Sequence, residues 1–191
     1  MTTPASALPR ACNPGGLQDG HHATSLLEIP QLAKAAGVAR VFLKNEAERP
    51  LGNFKVLGGV AAAVLAVKRR TDALLSSGNS TSPVPHLICA SDGNHGLAVA
   101  WAAQREGVRA TVYLPACASP ARVRRIQAMG ARAILVAGTY DDAVLAARTA
   151  ALQEHALLVA DTSPDPHGRV VRDVKTGYGR MADEIGPQFG T

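Results

Sequence analysis

Four short apolar runs, at residues 86–90, 110–114, 133–136 and 156–160, alternate with three amphipathic stretches at 94–105, 120–129 and 140–155. Glycines at 107 and 130 stand where the first two of those stretches must stop. Apolar strands separated by helices of this length pair in parallel, and crossover helices then cover both faces of the sheet. The rhythm therefore predicts an α/β fold, a three-layer parallel sheet with helices on both faces.

Upstream the pattern is looser. A helical stretch is expected over 26–37, opened by Pro30 and closed by Gly37, then a strand over 38–44 and a polar loop over 45–53. Residues 54–70 read as a helix with apolar positions at Phe54, Leu57, Val60, Ala61, Val64 and Val67. A Ser/Gly/Pro/Asn-rich loop spans 76–85, and a last helix is expected over 178–185. The first twenty or so residues, rich in Pro, Gly and Ala, read as a loose lead-in.

Composition excludes several function classes. With 47% apolar and 18% charged residues the chain can bury a core and is not a disordered tail. The net charge of +5 is scattered, clustering only at Lys68-Arg69-Arg70 and at Arg122, Arg124 and Arg125, and aromatic residues are 4%. A nucleic-acid surface needs clustered charge and stacking rings, so no such partner is expected. Cys12, Cys89 and Cys117 form no C-x-x-C pair and the histidines show no ligand spacing, so neither a disulfide framework nor a metal is expected. The longest apolar run, 56–67, is twelve residues and too short to span a bilayer. No membrane partner and a cytoplasmic location are expected.

Three segments offer chemistry. In Gly52-Asn53-Phe54-Lys55-Val56-Leu57-Gly58-Gly59, a lysine sits in the first turn of an apolar helix. The helix dipole and partial burial both disfavour an ammonium there, and a neutral amine is what carbonyl condensation requires. A solvated lysine at a helix start is the plain alternative. In Ser91-Asp92-Gly93-Asn94-His95-Gly96, polar residues and glycines join the end of a strand to the start of a helix, where backbone N–H groups favour anions. A simple N-cap is the alternative for that loop. In Tyr140-Asp141-Asp142-Ala143-Val144, the acids complement the start of a helix.

These segments, with Leu43-Lys44-Asn45-Glu46 ahead of them and Asp161-Thr162 and Gly177-Tyr178 behind, resemble the tryptophan-synthase-β-like, fold type II family of pyridoxal-phosphate enzymes. Within it the likeness is to the diaminopropionate ammonia-lyases. The resemblance implies pyridoxal 5'-phosphate as cofactor and a small amino acid as substrate, with α,β-elimination of 2,3-diaminopropionate to pyruvate and ammonia. It implies that Lys55 binds the cofactor covalently and moves a proton at the substrate's α-carbon. Asn94 would contact the cofactor's phenolic oxygen, while Ser91, Gly93 and His95 would hold the substrate carboxylate. Asp92 would be a second base, since related serine and threonine dehydratases usually lack an acid at that place. A dehydratase-like enzyme, and a non-catalytic remnant or partner-binding fragment, are the alternative functions.

By the same likeness residues 1–52 begin a large cofactor domain, 53–162 form a small α/β domain, and 163–191 return into the large one. The family's glycine-rich phosphate loop has no counterpart in the sequence. The chain is thus expected to be an N-terminal portion, with a homodimer mate or a missing C-terminal half as partner.

Overall fold

The structure, a computed structural model, describes residues 22–77, 84–163 and 165–189. The lead-in expected at the N-terminus, with Cys12, lies outside the described residues. Strands β3 (His86–Ala90), β4 (Arg109–Pro115), β5 (Arg132–Val136) and β6 (Leu157–Leu158) form one sheet in the order β5-β4-β3-β6. Each pairing in it is parallel. Helices α3 (Asn94–Glu106), α4 (Pro120–Ala128) and α5 (Tyr140–Gln153) make the crossovers.

Both faces of the sheet are buried, as the continuous apolar strands require. Alternate residues of β3 serve the two sides: Leu87 and Cys89 join the larger core with α3, and Ile88 and Ala90 pack on Ala143, Ala147 and Ala151 of α5. The spacing of those alanines puts them on one stripe of α5, where small side chains let helix and sheet approach closely. Gly107 closes α3 in the left-handed conformation, with φ 66°.

Helix α2 (Lys55–Ser76) continues beyond the stretch expected from its apolar positions. Its first half is buried on nearly every side because it lies between α3 and the long helix α6 (Arg169–Gln188). Two adjacent glycines permit this. A Cβ on Gly58 would come within 2.7 Å of the Tyr178 ring and 2.9 Å of Val174 on α6, while one on Gly59 would come within 2.9 Å of the Ala98 methyl on α3.

The N-terminal region departs from expectation. Residues 26–37 are not one helix: Leu26–Glu28 form strand β1, and only Pro30–Ala36 are helical, as α1. Strand β2 is Phe42–Lys44, shorter than expected, and pairs antiparallel with β1, Leu27 opposite Leu43. Helix α6 is likewise much longer than the expected 178–185.

A two-stranded ribbon is marginal alone. This one is tied to α6 by a buried ionic cluster. Arg49, wholly enclosed, pairs with Glu184 (2.6 Å) and Glu46 (3.0 Å), and Lys44 reaches Glu184 at 2.9 Å. Removal from water works against the Arg49 and Glu184 charges, but their mutual bonds prevail and hold Glu184 down at about 2. Phe42 stacks on Phe189 with centroids 4.7 Å apart. No helix among the described residues is long and apolar enough to cross a membrane.

Candidate active site

The chain runs from β3 through β4 to β5 on one side, and α5 then carries it back to β6 on the other side of β3. The carboxyl ends of β3 and β6 therefore diverge, and parallel sheets bind ligands in the crevice at such a reversal. An open cleft of about 360 Å³ lies there, lined by Lys55, residues 91–95, Arg122, Tyr140, Asp161 and Thr162. All six residues singled out in the sequence, Lys55, Ser91, Asp92, Gly93, Asn94 and His95, thus border one cavity.

Lys55 opens α2 after a distorted loop. Leu51 and Gly52 both have positive φ, 71° and 73°, and Asn53 then donates to the Leu51 carbonyl and accepts from the Lys55 N–H. Asn53 thereby satisfies one of the free N–H groups of the helix start.

The amine of Lys55 lies 2.6 Å from Asp161 Oδ1. This reverses the expectation of an uncharged lysine. Burial does pull its pKa down, but the hydrogen bond and charge of Asp161 outweigh burial, so the value stands above that of an ordinary lysine. Local reasoning about dipole and burial missed a carboxylate 106 residues away.

The loop after β3 is built from within. Ser91, buried, accepts from the N–H groups of Gly93 (2.9 Å) and Gly96 (2.8 Å), so it caps α3. Gly93 has φ 151°, a conformation L side chains rarely adopt. Asp92 and Asn94 are exposed on the cleft side of this loop.

His95 is buried, and its Nε2 lies 2.9 Å from the Val159 carbonyl. A carbonyl only accepts, so Nε2 carries the proton and Nδ1 is bare. Burial lowers the pKa of the ring, keeping it neutral. Nδ1 stands 3.7 Å from Asp161 Oδ1 without a hydrogen bond.

Asp161, Tyr140, Thr162 and Arg122 complete the cleft. Of these, Tyr140 opened the third segment singled out in the sequence and Asp161-Thr162 belonged to the family resemblance, whereas Arg122 stood there only in a basic cluster. No group of three or more His, Cys, Asp or Glu among the described residues is placed to hold a metal ion.

The residues present fit a carbonyl cofactor. A primary amine reaches the cleft, an amide side chain lines it, and the buried His95 Nδ1 at the same cleft makes no hydrogen bond. Buried polar groups are rarely left unsatisfied, so such an atom beside one amine marks a place for a ligand.

Comparison with known proteins agrees. The family model of the pyridoxal-phosphate dependent enzymes matches residues 17–191. Diaminopropionate ammonia-lyase of Escherichia coli (strain K12) is 33% identical over 177 residues, which cover 89% of this chain and 44% of that protein. The serine dehydratase-like protein of Homo sapiens is 36% identical over 135 residues, 70% of this chain and 36% of that one. The crystal structure of the Escherichia coli ammonia-lyase in complex with D-serine superposes with a TM-score of 0.79 at 31% identity, covering 89% of this chain and 45% of that chain. The chain therefore spans less than half the length of these relatives.

Proposed function

Because the chain belongs to the pyridoxal-phosphate dependent enzymes, we propose that it carries the catalytic lysine half of an ammonia-lyase that eliminates ammonia from 2,3-diaminopropionate to give pyruvate. The observation that supports this reading is the meeting of Lys55, Asp92 and Asn94 around one cleft. On this reading residues 53–162 are the small α/β domain, and 1–52 and 163–191 belong to the cofactor domain.

Lys55 supplies the amine that holds the cofactor's aldehyde carbon, and Asn94 the amide for its phenolic oxygen. Bound there, the cofactor's ring draws off the electrons released when the substrate's α-proton leaves. Lys55 and Asp92 take that proton, the amine from one side of the α-carbon and the carboxylate from the other, so both configurations are processed. Asp161 orients the Lys55 amine, holds it protonated at rest, and is placed to accept the proton that the amine gives up before it condenses with a carbonyl.

The test adds pyridoxal phosphate to the purified chain. A visible absorption band, trapped by borohydride as a mass increment on Lys55 and lost in Lys55→Ala, is the expected result. No band at any cofactor concentration would overturn the reading. The serine dehydratase-like relatives give a second reading, elimination from serine or threonine. It prevails if Asp92→Asn leaves turnover of those amino acids unchanged.

A further inference from the structure

Besides Asp161, a second group bears on the Lys55 amine, and it comes from α6. The ring of Tyr178 is fixed from two sides. Its Cε1 and Cζ rest against the bare flank of Gly58, where a Cβ would come within 2.7 Å of both, and the ring tilts on Phe54 with centroids 5.5 Å apart. Gly58 stands about one turn along α2 from Lys55, and residues three apart share a helix face. The absent side chain at 58 is therefore what brings the hydroxyl-bearing end of the phenol to the lysine.

That hydroxyl oxygen is buried and near enough to the amine for charge and hydrogen bonding to act between them, though no fully aligned hydrogen bond forms at rest. Alignment at rest goes to Asp161, 2.6 Å away. Once Asp161 has taken the amine's proton, neither group carries the charge that held the pair together. A neutral amine still has N–H groups to donate, and a phenol oxygen accepts. His95 also feels the Lys55 charge, but burial keeps its ring neutral and its protonated nitrogen is engaged by Val159.

We infer that Tyr178 is a positioning residue for Lys55: its hydroxyl is the amine's second holding point beside Asp161, and the acceptor that keeps the amine aimed once Asp161 is protonated. The inference rests on the reading of Lys55 as the reactive amine. It also brings α6 into a site whose cleft that helix does not line.

The test follows acetylation of Lys55 by acetic anhydride against pH in the cofactor-free chain, read by peptide mass spectrometry. Capture of pyridoxal phosphate, trapped by borohydride, is measured beside it. Tyr178→Phe keeps the ring on Gly58 and Phe54 and removes only the oxygen, and near-ultraviolet circular dichroism checks that the packing is retained. Burial works against the ammonium, and after Asp161 it is the Tyr178 oxygen that favours it. Loss of that oxygen should therefore lower the Lys55 midpoint, by less than in Asp161→Asn, and speed acetylation below the midpoint by about 2- to 10-fold. Capture should move the other way, falling by about 2- to 10-fold although more of the amine is neutral. A purely structural role would not drive the two in opposite directions. An unchanged midpoint, or capture that rises in step with acetylation, would overturn the inference. If the wild type captures no cofactor, the lyase reading fails, and a lowered midpoint then upholds Tyr178 as the holder of this amine.

Discussion

Replacing Gly177 by alanine tests how the lysine-bearing helix is held. Gly177 lies where α6 crosses α2, and an added Cβ would meet the Leu57 carbonyl oxygen and come within 2.8 Å of Gly58 Cα. Ordinary carbon contacts need about 3.5–4.0 Å, so the helices would have to part by roughly 1 Å. Overpacking of this kind costs about 1–3 kcal/mol. The obstacle is backbone, which cannot swing away, so the upper half of that range applies.

Alanine also favours a helix interior over glycine by about 1 kcal/mol, which offsets part of the cost. Gly179, two positions on, provides the control. It is exposed and a Cβ there meets nothing within 4 Å, so Gly179→Ala receives the helix gain alone. Urea unfolding of the two variants should give changes of opposite sign, Gly177→Ala less stable by about 1–2 kcal/mol and Gly179→Ala more stable by up to about 1 kcal/mol. In a chain this size each kcal/mol moves the thermal midpoint by about 2–4 °C. Equal shifts in both variants would refute the close crossing.

Asp161→Asn removes the bond and charge that hold Lys55 above its ordinary value, so burial then prevails and the amine titrates lower. The midpoint of cofactor attachment against pH should fall, and a midpoint that stays or rises contradicts the pairing. In the wild type the raised value means that this pair stabilises the fold fully below pH 10.5 and is lost as pH rises through the folded value. Glu184→Gln leaves the enclosed Arg49 short of a partner and should cost about 3 kcal/mol in urea, while replacing both residues by apolar ones should recover much of the loss. Glu184 itself is depressed from 4.5 to about 2, so its contribution is complete above pH 4.5 and disappears as pH falls towards 2. Acid titration followed by circular dichroism should show that limb flattened in Glu184→Gln.

Much of this was legible in the sequence. The sheet was, because each of its strands is a compact apolar run and glycines mark the helix ends between them, as Gly107 does for α3. The six cleft residues were legible because two short segments contain them all. What sequence reading missed depends on contacts between distant positions. Leu26 and Leu27 look like a helix entry, yet their pairing with β2 makes them a strand. Nothing near Lys55 in the chain announces Asp161, so the charge state of the amine came out reversed. In the sequence Arg122 is only one of a basic cluster with Arg124 and Arg125, and the fold lays it along Gly93.

The adjacent glycines of α2 have a consequence for how this protein can vary. Residue 58 answers to Val174 and Tyr178, residue 59 to Ala98 and the His95 ring, so each position drifts with its own set of neighbours. A bulkier residue at 58 becomes tolerable only in a lineage that has first trimmed α6, and one at 59 only after α3 has given way at Ala98 and His95. Any historical path that enlarges both must therefore pass through two separate permissive changes, made in either order.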